Sequence, residues 1–180
     1  MQLTDHYSSP LGIITLACDG ERLTGLWFEG QRYFGSTLPQ AYESAPLPLF
    51  DETRRWLDRY FAGKDPGERP PLHLEGSPFR QTVWNMLQQI PYGTTVTYGE
   101  MAREIARRSG RSSMSAQAVG NAIGRNPISI LVPCHRVVGS DGKLTGYAGG
   151  IHRKAALLRL EGYAPASLCA PSDVSPNPDR

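Results

Sequence analysis

The 180-residue sequence contains no apolar run near the ~20 residues that a membrane-spanning helix needs. Its first residues, MQLTDH, show neither the basic start nor the apolar stretch of an export signal. The three cysteines are few and odd in number, which disfavours a disulfide framework and fits a reducing compartment. With 39% hydrophobic and 20% charged residues, the composition is not that of a disordered or fibrous chain. We therefore expect a soluble, cytoplasmic, globular protein without a membrane segment.

Charge is distributed unevenly along the chain. Residues 1–75 hold seven Lys/Arg against eleven Asp/Glu, a net charge of −4. Residues 76–163 hold eleven Lys/Arg against four Asp/Glu, a net charge of +7. A basic half indicates a polyanionic partner such as nucleic acid, although the same residues can form an ordinary solvated surface. Charge alone does not decide between these interpretations.

The N-terminal part begins with the pattern of a β-hairpin. Two β-rich runs, residues 11–18 and 21–28, flank Asp19-Gly20, a pair that accepts the positive φ angles of a two-residue type I′ turn. Gly25 interrupts the second run, which predicts a bulge at that position. The sequence therefore predicts an antiparallel hairpin near the start of the chain.

Helical periodicity and a turn-rich connector predict the domain organisation. Residues 49–61 place apolar and aromatic side chains on one stripe, which we interpret as a helix packed on the core. The segment GKDPGERPP, residues 63–71, is a connector, and the charge balance changes sign just beyond it. We expect an α+β protein with an N-terminal α/β domain (1–75) that has a short antiparallel sheet, a C-terminal domain (76–163) and a proline-rich, disordered tail (164–180).

Helix signals dominate the second domain. Ser77-Pro78 is an N-cap followed by proline at the first helical position, and TYGE at 97–100 is a capping box. A further helix, residues 114–124, consists almost wholly of small residues. Two short helices joined by a turn suit a helix-turn-helix whose second helix approaches another backbone closely. Tight helix packing inside the protein explains the small residues equally well.

The end of this domain predicts two strands and a helix. The apolar run at 128–132 predicts a buried strand that ends at Cys134. The sequence GSDG at 139–142 predicts a hairpin turn, so residues 143–147 would return as a wing-like strand. A final helix is expected over residues 151–161. The domain is therefore predicted to be a mostly helical, winged helix-turn-helix domain.

Cys134 is the thiol whose neighbours predict reactivity. A free thiol has a pKa of ~8.5, so an adjacent base or a positive field is needed to form the thiolate nucleophile at neutral pH. His135 could take the proton directly or through a water, and Glu161 could orient the imidazole. Positive charge is expected from Arg125, Arg136 and Lys143.

The plain alternative is that Cys134 is a small buried hydrophobe and His135 its hydrogen-bonded neighbour, because free cysteine is among the most buried residue types. A metal site is not expected, since an adjacent Cys-His pair lacks the spacing of zinc ligands and the other cysteines and histidines form no cluster. No cofactor is expected. Cys18 is predicted to lie in the core, and Cys169 to be exposed in the tail.

The segment NPISILVPCHRVVG, residues 126–139, resembles the active-site signature of the O6-alkylguanine-DNA alkyltransferases, also called methylated-DNA–protein-cysteine methyltransferases. The resemblance continues through TGYAGG at 145–150 and covers residues 77–163 well, but the N-terminal half only loosely. The block PCHRV, with Asn126 eight residues before the cysteine, is highly specific. It favours the interpretation of Cys134 as a reactive thiol over the interpretation of Cys134 as a small buried hydrophobe.

The resemblance implies repair of DNA by direct damage reversal. The sulfur of Cys134 would accept the alkyl group of O6-alkylguanine in an in-line displacement, so that each molecule acts once. His135 would deprotonate the thiol through a water, with Glu161 orienting the ring, and Asn126 would hold the turn before the active-site strand. Because the lesion lies inside a stacked duplex, its nucleotide must be extruded. The small-residue helix would enter the minor groove, with Gln117 as the wedge.

The implied partner is duplex DNA containing O6-alkylguanine, bound by a monomer whose N-terminal half is ribonuclease-H-like. Tyr98 would donate to the flipped base or brace a phosphate. Tyr147 and Ile123 would form walls of the base pocket, and the backbone near Ala148 would meet O6. Further contacts with substrate or DNA are expected from Gly99, Arg125, Arg136, Val137 and Ser140.

Two features depart from the family pattern. Gln117 stands where the family carries arginine at the wedge, and about five residues are inserted around 106–113. Glutamine can hydrogen-bond an orphaned pyrimidine but brings no charge, which affects lesion affinity rather than the type of reaction. Two other functions stay open: a lesion sensor of the same fold that does not repair, and a cysteine hydrolase unrelated to DNA. The acceptor cysteine disfavours the first, and the basic half disfavours the second.

Overall fold

The computed structural model describes residues 1–163, so the tail that is predicted to be disordered, including Cys169, lies outside the described residues. The strands of the first sheet are β1 (Gln2–Ser9), β2 (Gly12–Cys18), β3 (Leu23–Phe28) and β4 (Tyr42–Ser44). The helices are α1 (Pro48–Phe61), α2 (Pro78–Leu87), α3 (Tyr98–Arg108), α4 (Ala116–Gly124) and α5 (Ile151–Leu160). The second sheet has strands β5 (Val96–Thr97) and β6 (Val137–Val138), and a 3₁₀ helix covers Cys134–Arg136. This architecture confirms the predicted α+β class.

The first sheet is mixed, not purely antiparallel. Its strand order is β3-β2-β1-β4, and β4 runs parallel to β1 while the other neighbours are antiparallel. The predicted β2–β3 hairpin is confirmed, but β1 and β4 are strands without a matching prediction. The hairpin loop spans residues 19–22 and is longer than the predicted two-residue turn. Within this loop, the carboxylate of Asp19 accepts the backbone N–H groups of Glu21 and Arg22.

The predicted bulge lies beside Gly25. The pairing of β2 with β3 passes from Ala17–Gly25 to Cys18–Leu23, which leaves one extra residue on β3. A Cβ atom on Gly25 would lie 1.8 Å from the indole ring of Trp27. Only glycine fits there, because the indole packs directly over the backbone.

Local capping signals set the helix boundaries. The hydroxyl of Ser77 accepts the N–H of Arg80 at the start of α2. The capping box that opens α3 is complete, since Thr97 and Glu100 each accept the other's backbone N–H. Helix α4 begins at Ala116, two residues after the predicted start, because Ser115 is its N-cap. The predicted helices are therefore confirmed with small shifts at their ends.

The apolar segment 128–132 is buried, but the strand prediction is wrong. The N–H of Val132 donates to the carbonyl of Ile128 at 3.1 Å, and Ile130 adopts a φ of 69°. The side chain of Asn126 closes this turn, donating to the Val132 carbonyl at 2.8 Å and accepting the Ile128 N–H at 3.0 Å. Apart from one parallel bridge between Ile128 and Leu26, side-chain hydrogen bonds to the backbone replace the sheet pairing that an apolar run suggests. The cysteine that follows begins a 3₁₀ helix instead of ending a strand.

The predicted wing-like strand over residues 143–147 is also wrong. The turn at 139–142 is present, since the N–H of Gly139 donates to the carbonyl of Lys143 at 2.8 Å. Strand β6 pairs in parallel with β5, next to the start of α3. Residues 143–147 form no strand and take an irregular course.

Backbone hydrogen bonds join the first sheet to the segment before the cysteine. The N–H of Leu26 donates to the Pro127 carbonyl at 2.9 Å, and the N–H of Ser129 donates to the Leu26 carbonyl at 3.0 Å. Buried side chains of both halves form one continuous hydrophobic cluster. The division into domains 1–75 and 76–163 stays a prediction. Among the described helices, none has the length and hydropathy of a membrane-spanning segment.

Candidate active site

Cys134 lies at the inner end of a cavity of about 450 Å³. This volume is typical of small-molecule sites, which span ~300–1,000 Å³. The side chain of Cys134 is 5% exposed, so the cavity is its route to solvent. The lining residues are Arg32, Tyr33, Tyr98, Gly120, Asn121, Ile123, Gly124, Cys134, Thr145, Gly146, Tyr147 and Ala148. The structure thus brings the predicted pocket residues Tyr98, Ile123, Tyr147 and Ala148 together around the cysteine.

The thiol of Cys134 is protonated at rest. Burial raises its pKa above the usual value, while a hydrogen bond with Asn126 and the positive charge of Lys154 act in the opposite direction. Asn126 therefore contacts the sulfur as well as holding the preceding turn. Formation of the thiolate requires a base to remove the proton.

His135 is fully buried beside the cysteine, and its ring geometry identifies the available base. Its Nε2 lies 2.6 Å from Oε1 of Glu161, a distance that requires a proton between the two atoms. Burial lowers the pKa of His135, so the ring is neutral with the proton on Nε2. The other nitrogen, Nδ1, is buried without a hydrogen-bond partner among residues 1–163. Nδ1 is therefore the lone pair that can accept a proton.

Glu161 follows the last turn of α5 and anchors the polar network. Its Oε2 accepts hydrogen bonds from Nε of Arg136 at 2.8 Å and from the N–H of Gly93 at 3.1 Å. Burial raises the pKa of Glu161, but the hydrogen bonds from His135 and Arg136 outweigh burial and hold it at about 2. The carboxylate is consequently ionised throughout the physiological range.

Several predicted DNA-contact residues lie away from the cavity. Arg136 is buried, with Nη1 donating to the Ile90 carbonyl at 2.7 Å in addition to its bonds with Glu161. Val137 is buried in β6. Both side chains are used inside the protein, so the structure gives no side-chain surface for the contacts with substrate or DNA that are predicted for these residues, and those contacts stay predictions. Ser140 is exposed and Gly99 is partly exposed, and neither lines the cavity that contains Cys134.

Lys154 supplies the positive charge that acts on the sulfur of Cys134. The sequence predicted this charge from Arg125, Arg136 and Lys143 instead. Its side chain is fully buried on α5, with Nζ 3.1 Å from the Gly146 carbonyl and 3.5 Å from the Tyr98 hydroxyl. By contrast, Arg125 stacks on Tyr33, and Lys143 pairs with Asp141 at the surface. The available sequence signal was the spacing of seven residues from Lys154 to Glu161, which places both on one face of α5.

Two residues of the N-terminal half form the outer wall of the cavity. Arg32 and Tyr33 follow β3, and the N–H of Arg32 donates to the Ala148 carbonyl at 3.0 Å. The Arg125 guanidinium lies 3.8 Å from the centre of the Tyr33 ring, a cation–π contact between the two halves. No periodic or motif signal in the sequence marks these residues.

The small residues of helix α4 lie partly in the core and partly at the surface. Val119, Ala122 and Ile123 are buried, and the indole N–H of Trp84 donates to the Ala122 carbonyl at 2.8 Å. The opposite face is exposed and carries Gln117 in the first turn. The helix therefore packs closely on α2 and still presents a surface of low bulk.

The fold and the site define a class of protein: a cavity-lining cysteine beside a hydrogen-bonded histidine–glutamate pair, next to a helix-turn-helix module. Comparison with known proteins agrees with this class. A family model described as "6-O-methylguanine DNA methyltransferase, DNA binding domain" matches residues 78–163. A second, described as "6-O-methylguanine DNA methyltransferase, ribonuclease-like domain", matches residues 4–72.

Individual relatives span nearly the whole chain. A methylated-DNA–protein-cysteine methyltransferase of Mycobacterium bovis is 46% identical over 91% of this chain and 96% of the relative. One of Methanosarcina acetivorans is 44% identical over 87% of this chain and 96% of the relative. The crystal structure of Mycobacterium tuberculosis O6-methylguanine methyltransferase superposes with a TM-score of 0.77 at 45% identity, covering 93% of this chain and 98% of that one. A structure of M. tuberculosis OGT in complex with DNA gives 0.75 at 44% identity, covering 93% and 96%.

The chain belongs to the methylated-DNA–protein-cysteine methyltransferase family. The resemblance inferred from residues 126–139 is therefore confirmed. The roles of the individual site residues stay predictions.

Proposed function

We propose that this protein repairs DNA by transferring the alkyl group of O6-alkylguanine to Cys134. The observation that carries the proposal is the Cys134 thiol at the end of a cavity, beside a buried His135 whose Nε2 is bonded to Glu161. This arrangement supplies a nucleophile, a base and a space for a flipped base. Named relatives with the same function and a DNA-bound neighbour support it.

The transfer is a displacement at the alkyl carbon. The thiol proton passes through a water to Nδ1 of His135, and Glu161 stabilises the imidazolium that forms. A sulfur electron pair then forms the S–C bond while the C–O6 bond breaks, and the electrons of that bond remain on guanine. The guanine anion takes up a proton and is restored. Because a thioether has no good leaving group, each molecule acts once.

DNA would dock through α4 in the minor groove, with the protein as a monomer. The exposed, small-residue face of α4 leaves room for close approach, and the lesion nucleotide would be extruded into the cavity. Arg32 and Tyr33 line this cavity, and the Arg125 guanidinium stacks on the Tyr33 ring. An aromatic ring and two cations suit a base and its phosphates.

The proposal is tested by incubating the protein with a duplex that carries O6-methylguanine. The tryptic peptide containing Cys134 should gain the mass of one methyl group, and the released duplex should contain guanine. A duplex with unmodified guanine is the control. An unmodified peptide after prolonged contact with bound lesion DNA would favour a sensor that does not repair. Equal transfer rates from the lesion duplex and from free O6-methylguanine would contradict docking through α4.

Lys154→Gln is expected to slow methyl transfer about tenfold at pH 7, because the ammonium opposes the effect of burial on the thiolate. Burial lowers the pKa of Lys154 to about 8, so its charge is present below that pH and lost above it. The advantage in methyl-transfer rate that Lys154 gives the wild-type protein should therefore disappear above pH 8. The variant should show no such change with pH, because it lacks the lysine. Lys143→Gln, which removes an exposed lysine, is the matched control. Equal rates for the two variants would contradict the role of Lys154.

Gln117→Arg is expected to strengthen duplex binding about three- to tenfold and to steepen its dependence on salt, because the exposed side chain gains a phosphate-binding charge. Transfer from free O6-methylguanine should stay unchanged, since a free base needs no wedge. The measurement compares single-turnover rates and affinities on both substrates. Gln81→Arg adds the same charge to an exposed position on α2 as a control. Equal effects on free base and duplex would exclude the wedge role.

A further inference from the structure

Tyr60, on helix α1 of the N-terminal half, reaches the buried network beside Cys134. Its hydroxyl donates to Oε1 of Glu161 at 2.7 Å and lies 3.3 Å from Nε2 of His135. The same Oε1 accepts the Nε2 proton at 2.6 Å. The hydroxyl of Tyr60 and Nε2 of His135 thus share one carboxylate oxygen of Glu161, which also accepts a hydrogen bond from Nη2 of Arg136. Neither the displacement chemistry nor the DNA contacts proposed above use this hydroxyl.

The Tyr60 ring is held rigidly, so its hydroxyl has a fixed position. The ring is fully buried and stacks on Trp56 at a centroid distance of 5.7 Å and an angle of 4°. Phe61, Tyr92 and His135 contact it edge-on at 5.4, 6.1 and 6.3 Å. A hydroxyl fixed by aromatic packing on several sides restrains the carboxylate that it contacts.

The Tyr60 hydroxyl stays protonated and acts as a donor at neutral pH. Burial raises the pKa of Tyr60 well above its usual value, and the neighbouring carboxylate of Glu161 adds to this effect. Oε1 therefore receives three hydrogen bonds, from the Tyr60 hydroxyl, from Nε2 of His135 and from Nη2 of Arg136 at 3.0 Å. A carboxylate oxygen that is shared among several donors attracts each proton less strongly. Loss of the Tyr60 hydroxyl would leave Glu161 a stronger acceptor for the His135 proton.

We propose that Tyr60 is a positioning residue through which the N-terminal half sets the orientation and basicity of His135. The inference rests on the proposed alkyl transfer, because it concerns the base of that reaction. It gives the N-terminal half a function in the chemistry beyond structural support. The other titratable or charged groups that face the network are Arg136, Tyr92, Tyr147 and Lys154.

The first test is Tyr60→Phe, which keeps the ring and removes only the hydroxyl. The single-turnover transfer rate at saturating lesion duplex should fall about tenfold. Since His135 must be neutral to accept the thiol proton, a stronger pull from Glu161 should also move the acid limb of the rate profile to higher pH. Tyr7→Phe is the matched control, because the Tyr7 hydroxyl donates to another carboxylate, Asp58, at 2.8 Å. A rate and pH profile equal to those of the control would overturn the inference.

A second measurement does not depend on transfer or on the folding of the variant. In the wild-type protein, ¹H–¹⁵N NMR should show a strongly downfield His135 Nε2 proton, and ¹H–¹H NOE spectra should show a slowly exchanging Tyr60 hydroxyl proton close to it. Absence of that pair of resonances would overturn the inference. If the resonances are present but wild-type protein transfers no alkyl group, the proposed function fails while the coupling of Tyr60 to His135 stands.

Discussion

Cys134→Ala is expected to abolish alkyl transfer to protein while leaving lesion-duplex affinity within about threefold of wild type. The sulfur is the atom that forms the new bond, and alanine has no nucleophile to replace it. The side chain is 5% exposed at the end of the cavity, so its removal leaves the exposed face of α4 intact. Peptide mass spectrometry measures the transfer, and titration of labelled duplex measures the binding.

Cys18→Ala is the matched control for this substitution. Cys18 is a free cysteine that is fully buried in β2, so the exchange tests the loss of a thiol without touching the site. Its expected effect is a loss of stability of about 1 kcal/mol from the small cavity created, with transfer retained. Transfer that persists in Cys134→Ala, or that disappears in Cys18→Ala while the protein stays folded, would contradict the assignment of the acceptor.

Glu161→Gln is expected to reduce the transfer rate by about 10²–10⁴-fold, the range seen when the orienting carboxylate of a catalytic histidine is lost. An amide can present its NH₂ group to Nε2 of His135, which favours the wrong tautomer and removes the base at Nδ1. Arg136 would also lose its buried counter-charge, with a cost of about 3–5 kcal/mol. Single-turnover kinetics and denaturant unfolding measure the two effects separately.

The same carboxylate makes stability depend on pH. The pKa of Glu161 is about 2 in the folded protein against an ordinary value of 4.5. A lowered folded pKa gives stability that is present above pH 4.5 and lost as the pH falls from 4.5 towards 2, about 3 kcal/mol in all. Glu161→Gln should lose this acid-sensitive part of the unfolding free energy. Glu104→Gln is the control, because Glu104 also has a pKa of about 2 but pairs with Arg107 and Arg108 at the surface. A similar loss in both variants would contradict the buried-network explanation.

Features determined by neighbouring residues could be predicted from the sequence. The cap at Ser77, the capping box at Thr97 and the stripe of residues 49–61 each act within one or two helical turns, and the corresponding helices are confirmed. The proximity of Cys134 and His135 follows from their adjacency. Glu161 is a candidate from the sequence because it is one of only two acidic residues between Ile105 and Gly162, and the resemblance to a known family supports it.

Features determined by distant contacts could not be predicted. The apolar run before Cys134 has the composition of a strand, but the side chain of Asn126 closes it into a turn. Strand β4 is three residues long and exposed, so it carries no hydrophobic alternation. Lys154 and Tyr60 join the site through the packing of α5 and α1 around the 3₁₀ helix. A buried lysine and a core tyrosine look like surface and packing residues until the tertiary structure is known.

Two of the basic residues in 76–163, Arg136 and Lys154, are buried, which reduces how strongly this part of the protein attracts a polyanion. Arg136 is neutralised by Glu161, and Lys154 lies beneath the cavity, so neither can displace condensed counterions from a nucleic acid backbone. The number of ions released on association, and with it the slope of affinity against ionic strength, is therefore set by the remaining surface arginines and lysines. A count of basic residues in the sequence therefore overstates the number of positive charges that are available to nucleic acid.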